Sequence, residues 1–105
     1  MINLKDARKV KVYQLANKNQ FVIEYSIDGV LVTCFQSYST LIAIYDRSTT
    51  ELYLNNDYWD YSKTTLKHFK MFLNEWTIYN YESKQQFIKV IQLHKELIHL
   101  FKEYE

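Results

Sequence analysis

The only glycine in the chain, Gly29, follows Asp28 between two runs of β-branched and aromatic residues. An Asp-Gly pair accepts the positive φ angles that both central positions of a type I′ turn require, so it predicts a two-residue β-hairpin. The turn also fixes the register, in which Ile23 pairs with Cys34. We expect the apolar residues that share a face with Cys34 to form the core side of the hairpin. Three polar residues fall on the opposite face: Glu24, Ser26 and Thr33.

Three further short runs predict strands of the same sheet. Residues 9–13 alternate lysine with apolar residues, and we expect this run to pair with the first strand of the hairpin. Residues 41–45 and 51–54 are apolar runs on either side of a polar segment whose length suits a second hairpin. Every connection among these five runs is far shorter than a parallel crossover needs, so they predict an antiparallel meander over about residues 9–55.

The period of the apolar residues changes beyond the last of these strands. Leu66, Phe69 and Phe72 recur at helical spacing, which predicts an amphipathic helix over about residues 62–76. Either Ser62 or Asp60 could cap its N-terminus. A capping box followed by a wide apolar stripe predicts a second helix over about residues 83–103. The sequence therefore predicts an α+β fold, in which an antiparallel sheet of about five short strands packs against two C-terminal helices.

Length and composition support a single domain. The chain has 105 residues, of which 48% are hydrophobic, so we expect residues 1–105 to fold around one core. Its one cysteine cannot form an intramolecular disulfide, and the first residues lack the apolar run of a signal peptide. No run approaches the ~20 apolar residues that a membrane span requires. These features indicate a cytoplasmic protein without a membrane segment.

Charge is unevenly distributed along the chain. The formal net charge of +1 argues against a strongly basic nucleic-acid-binding protein and against a DNA-mimicking polyanion. Residues 28–61, however, contain five acidic residues and only one basic residue. Either these acidic residues solvate the loops between strands, or they form a surface that meets a basic partner.

Four residues could carry metal-binding or nucleophilic chemistry by type: Cys34, His68, His94 and His99. Their spacing argues against both. His94 and His99 are five residues apart, which is about 140° around a helix, and no Cys-x-x-Cys or His-x-x-x-His motif occurs. A cysteine in an apolar row is typical of packing, and His94 on the apolar stripe is typical of a core or boundary residue.

Acid–base chemistry and phosphate cradling have little support either. Asp57 and Asp60 could pair as carboxylates, but no neighbouring motif supplies the groups with which they would act. The single glycine is already used in the hairpin turn, so no glycine-rich phosphate loop can be built. We therefore expect no catalytic residue, no metal ion and no cofactor.

An aromatic segment, residues 58–62, leads into the first predicted helix. Trp59 can pack back over that helix, and tyrosine and tryptophan are also the residues most enriched at binding hot spots, so both roles can hold together. We combine the aromatic residues with the acidic ones into one predicted partner-binding set: Asp46, Glu51, Asp57, Tyr58, Trp59 and Tyr61.

Residues 35–73 resemble a domain found in small proteins of Gram-positive phages and prophages. The resemblance rests mainly on the Trp-Asp-Tyr-Ser-x-Thr-Thr-x-Lys run at residues 59–67. Proteins of this size and origin include anti-CRISPR inhibitors of type II RNA-guided nucleases. The resemblance therefore implies a non-catalytic inhibitor that acts in the host cytoplasm by binding such a nuclease and blocking nucleic-acid loading or cleavage.

Direct binding of nucleic acid is the alternative function. Lysines on the first strand, Lys9 and Lys11, or on the first helix, Lys63, Lys67 and Lys70, could contact phosphates. A net charge near neutrality makes this alternative less favourable than protein binding.

The last predicted helix is apolar on more than one side. Ile88, Leu93 and Leu100 lie off its main stripe, and such a helix often buries its second face in a partner subunit. This pattern predicts a homodimer formed through the C-terminal helix.

Overall fold

A computed structural model describes residues 4–15 and 19–102 and shows an α+β fold. Within the described residues, one sheet contains six strands. Two α-helices lie in the chain between its fifth and sixth strands. The strands, in chain and spatial order, are β1 (Arg8–Gln14), β2 (Gln20–Ile27), β3 (Val30–Ser37), β4 (Thr40–Asp46), β5 (Glu51–Asn55) and β6 (Ile98–Phe101). The helices are α1 (Lys63–Trp76) and α2 (Lys84–Leu93), and a short 3₁₀ helix (Leu4–Asp6) precedes β1.

The predicted meander is confirmed for the first five strands, each of which pairs antiparallel with the next. The β2–β3 hairpin has the predicted register, with Ile23 opposite Cys34. Its turn residues, Asp28 and Gly29, have φ angles of 50° and 82°, the left-handed values that the Asp-Gly pair predicts. Local sequence therefore sets this part of the fold.

The helices cover the face of the sheet opposite to the one that we expected. Phe35 on β3 stacks against Phe69 and Phe72 of α1, at centroid distances of 6.3 and 5.6 Å. Cys34 is fully buried, as expected for a core residue, but it belongs to a smaller cluster on the other face with Val32, Ile44 and Phe101. Both faces of β3 carry apolar residues, so the spacing of apolar residues alone does not determine which face the helices cover.

The second helix is shorter than predicted, because α2 ends at Leu93 and β6 follows within the range that we assigned to it. The prediction of a helix to residue 103 is therefore wrong. Residues 98–101 instead pair with β5 in parallel, with Leu52 opposite Ile98. Without β6, the edge of β5 would expose a row of unpaired backbone groups, and pairing with β6 satisfies them. The helical spacing of apolar residues in this range does not predict such a long-range pairing.

A serine caps each helix, and of the two candidates for α1 the cap is Ser62 and not Asp60. The side chain of Ser62 accepts a hydrogen bond from Thr65 N–H at 3.1 Å, and that of Ser83 accepts one from Gln86 N–H at 3.2 Å. The predicted bounds of the first helix are confirmed to within one residue. Because α2 ends early, the three residues of the predicted dimer face lie on two elements: Ile88 and Leu93 on α2, and Leu100 on β6.

Candidate protein-binding surface

Three exposed tyrosines surround a groove at one end of the sheet. Tyr38 lies in the β3–β4 turn, and Tyr58 and Tyr61 lie in the loop between β5 and α1. Their exposed fractions are 62%, 37% and 72%, and the rings of Tyr58 and Tyr61 are 5.4 Å apart. The groove has a volume of about 220 Å³ and is lined by Ser37, Tyr38, Thr40, Ile42, Tyr58, Tyr61, Ser62 and Thr65. We call it the tyrosine groove.

The loop that carries Tyr58 and Tyr61 is held at its start by Asn55. The buried Asn55 side chain donates to Leu41 O at 2.9 Å and accepts from Asp57 N–H at 3.1 Å. Its backbone carbonyl accepts from the N–H groups of Tyr58 and Trp59. These bonds end β5 and turn the chain towards α1, so the two tyrosines occupy defined positions.

Trp59 anchors the same loop from below. Its side chain is only 6% exposed, and its ring lies 6.0 Å from Phe69 of α1 and 5.5 Å from Phe87 of α2. Packing in the core therefore orients the loop so that the neighbouring tyrosines face outward. Trp59, a member of the predicted partner-binding set, is thus buried in the core and not exposed at the surface.

Tyr38 is the one of the three groove tyrosines that the predicted partner-binding set does not contain. Its backbone has a φ of 55°, a left-handed conformation that is uncommon for a residue with a large side chain. Two hydrogen bonds hold it, from Tyr38 N–H to Asn19 O and from the Gln36 side chain to Tyr38 O, both 2.7 Å long. The sequence contains a signal for its exposure, because Tyr38 lies in a short polar segment between two predicted strands. An aromatic side chain in such a tight turn is seldom buried in the core.

The groove contains an unsatisfied polar group. Ser37 is 4% exposed, and its Oγ has no hydrogen-bond partner among the residues that the structure describes. Burying a hydroxyl without a partner is unfavourable, so a ligand that displaced the side chains covering this buried atom and offered a donor or an acceptor would gain from it. None of the described residues that line the groove carries a formal charge.

The structure divides the predicted partner-binding set into two places. Asp57 is exposed and lies beside the tyrosine groove, whereas Asp46 and Glu51 face each other at the opposite end of the β4–β5 pair. Glu51 and Asn55 are four residue steps apart along β5, about 13 Å of strand. Asp46 and Glu51 therefore do not form one surface with the tyrosines, whereas Asp57 does.

Asp46 and Glu51 are both engaged locally. Asp46 Oδ1 accepts hydrogen bonds from the N–H and the hydroxyl of Ser48 in the β4–β5 turn. Glu51 Oε2 is 2.7 Å from His99 Nε2 and 3.4 Å from the Tyr53 hydroxyl. The hydrogen bond with His99 is the main cause that lowers the pKa of Glu51, and desolvation is the main cause that raises the pKa of Tyr53.

The four residues considered for metal or nucleophile chemistry lie on four different elements or element ends. Burial raises the pKa of the Cys34 thiol to about 12, so this thiol is neutral near physiological pH. His68 is buried on α1 with its Nδ1 2.8 Å from Thr64 O. His94 caps the C-terminus of α2, and His99 lies on β6 beside Glu51. His94 is half exposed, which fits the boundary position and not the core position among the two expected for it.

Neither α1 nor α2 has the length and the apolar content that crossing a lipid bilayer would require, and the rest of the described chain contains no longer helix.

Comparison with known proteins identifies the family. The sequence profile of a family of unknown function (DUF8033) matches residues 8–89, which is most of the chain. The chain belongs to DUF8033. The residues that match the DUF8033 profile include all three tyrosines of the groove and the whole of α1, whereas β6 and His99 lie beyond them. No curated protein and no solved structure matches this DUF8033 chain.

Proposed function

We propose that this domain functions by binding a partner protein at the tyrosine groove. The observation that carries the proposal is the convergence of three exposed tyrosines from two loops around a groove with an unpaired, buried Ser37 hydroxyl. Tyrosine supplies a large contact area with only two side-chain torsions to restrict, so exposed tyrosines favour binding at low entropic cost. Both loops are held by hydrogen bonds or by core packing, which lowers the cost of ordering them further.

A binding role suits the groove better than a catalytic one. Among the described residues, its lining offers hydroxyl groups and rings but no carboxylate, imidazole, thiol or amine that could transfer a proton or attack a substrate. The volume of about 220 Å³ is below the range of pockets that enclose drug-sized ligands. A single protruding side chain of a partner protein is the occupant that fits this size.

The partner class that we propose is a type II RNA-guided nuclease of the host, which would make the domain an anti-CRISPR inhibitor. The similarity of residues 35–73 to small phage and prophage proteins supports this choice. The exposed carboxylate of Asp57, which forms no ion pair with any described residue, adds a charge that suits the basic surface of a nucleic-acid channel. Asp46 and Glu51 would contribute little, because they lie at the far end of β5.

The test is inhibition of guide-dependent DNA cleavage by a panel of purified type II nucleases. We expect the wild-type domain to inhibit at about one molecule per nuclease. Truncation of two hot-spot residues in Y58A/Y61A should weaken inhibition by about thirtyfold or more, which corresponds to about 2 kcal/mol of binding free energy. Ile78→Ala is the matched control, because Ile78 is also an exposed large apolar residue and lies outside the groove.

Two outcomes would contradict different parts of the proposal. If no nuclease is bound or inhibited, the partner class is wrong. A second measurement compares the proteins that the wild type and Y58A/Y61A retain from a host lysate. If every retained protein binds both forms equally, the tyrosine groove is not the binding surface.

A further inference from the structure

A second groove, separate from the tyrosine groove, lies between α1 and the start of α2. Three lysines of α1 line one side of it, and Lys84 lines the other. Lys63, Lys67 and Lys70 are spaced at i, i+4 and i+7, so their side chains share one face of α1. We call the groove lined by these four residues the lysine groove; its volume is about 320 Å³.

The positive charge of this groove is only partly compensated. Lys84 forms an ion pair with Asp60 at 3.0 Å. Within the described residues, no carboxylate lies within ion-pair distance of Lys63, Lys67 or Lys70. Glu82 is the one acidic residue in the lining, against four lysines.

Helix stability does not account for these lysines. Lys63 and Lys84 occupy the first position of α1 and α2, and neither helix has an acidic residue in its first turn. The amino-terminal end of a helix carries partial positive charge and favours an acidic residue, so a lysine there is unfavourable. Lys63 and Lys67 also repel each other as like charges one turn apart. An anion bound in the groove would relieve both effects.

We propose that the lysine groove binds the phosphate backbone of nucleic acid. The three lysines of α1 extend over seven residue steps, about 10 Å of helix axis, which matches about three successive phosphates of one strand. Lysine suits this role because its ammonium group is a compact charge with rotatable donors and does not require a fixed ligand orientation. The backbone contacts would be independent of base sequence.

The lysine groove and the tyrosine groove have different lining residues, so nucleic-acid binding can be tested independently of protein binding. The probe is a fluorescein-labelled single-stranded DNA of about 16 nucleotides, with RNA and duplex DNA of equal length as further arms. Anisotropy is measured between about 50 and 200 mM salt. We expect wild-type binding that weakens with salt and does not depend on base composition.

The decisive comparison uses two variants that each remove two positive charges. K67Q/K70Q should weaken binding at least about tenfold at low salt and reduce the salt slope by about 1.4, the value for two lost phosphate contacts on a single strand. K9Q/K11Q, which removes lysines from β1, should stay within about twofold of the wild type. Y58A/Y61A should also bind as the wild type does.

Three outcomes would overturn the proposal. The first is no wild-type binding to any of the three nucleic acids at low salt. The second is an equal loss in K67Q/K70Q and K9Q/K11Q, which would show a response to net charge alone. The third is displacement of the DNA by polyglutamate as effectively, charge for charge, as by unlabelled DNA. Circular dichroism of each variant ensures that lost binding is not lost folding.

Discussion

Ser37 combines near-complete burial with a hydroxyl that has no hydrogen-bond partner in the described part of the chain. It lies at the end of β3, opposite Gln20 and Thr40, where the sheet meets the tyrosine groove. An unsatisfied hydroxyl lowers the stability of the free protein, whereas a hydroxyl that bonds to a partner raises affinity. Stability and binding should therefore respond in opposite directions when this group is removed.

Ser37→Ala tests that relation at the level of one atom. We expect the free energy of unfolding to stay unchanged or to rise by up to about 1 kcal/mol, because the substitution removes an unpaired polar group from a buried site. Partner affinity should fall by about fivefold to tenfold, since one hydrogen bond in the groove is lost. Urea unfolding and partner titration give the two values.

Thr40→Ala serves as the matched control for Ser37→Ala, because Thr40 also lines the groove but its hydroxyl is not among the buried unpaired atoms. A loss of stability above about 1 kcal/mol in Ser37→Ala would mean that the hydroxyl has a partner in solution. An unchanged affinity for the partner would mean that nothing in the complex bonds to it.

At the level of elements, β6 depends on contacts with residues that are distant from it in the chain. Besides its parallel ladder with β5, it contributes His99, which is hydrogen bonded to Glu51 and stacks on Tyr53 at a centroid distance of 4.9 Å. A parallel pair needs a long crossover, and α1 and α2 supply it. The side-chain pair Glu51–His99 therefore helps to attach the last strand to the sheet.

This attachment predicts a dependence of stability on acid pH. The pKa of Glu51 is lowered below its ordinary value of 4.5 in the folded protein. Between the folded-state pKa and the ordinary value, the unfolded chain therefore binds more protons than the folded protein does. The contribution of Glu51 to stability is therefore fully present above pH 4.5 and is lost as the pH falls through the folded-state pKa. Urea midpoints of Glu51→Gln should consequently decrease less between neutral pH and about pH 3 than those of the wild type.

Glu75→Gln provides the control for this pH series, because Glu75 is exposed on α1 and forms no ion pair with any described residue. It should retain the pH dependence of the wild type. If Glu51→Gln and the wild type lose stability in parallel on acidification, the bond between Glu51 and His99 does not persist in solution.

At the level of the whole molecule, the features that sequence predicts are those set by short-range chemistry. The Asp28–Gly29 turn, the register that it imposes and the cap at Ser62 depend on residues close in the chain, and all three are confirmed. The face that α1 covers and the pairing of β6 depend on competition between distant segments, which periodicity does not report. The same limit applies to the site, because Tyr38 joins Tyr58 only through the folded sheet.

Oligomeric state is the remaining property of the whole molecule that the sequence predicts, as a homodimer formed through the C-terminal helix, whose predicted range the structure divides between α2 and β6. Leu93 at the end of α2 is 74% exposed, and Leu100 on the edge strand β6 is also exposed. Exposed leucines on the last two elements favour a second copy as their cover. We expect light scattering to show a dimer that dissociates on dilution. Leu93→Glu should convert this dimer to a monomer, whereas Ile78→Glu, at a similarly exposed position outside α2 and β6, should leave it dimeric. A monomer at every concentration, or equal effects of the two substitutions, would show that these leucines are not an interface.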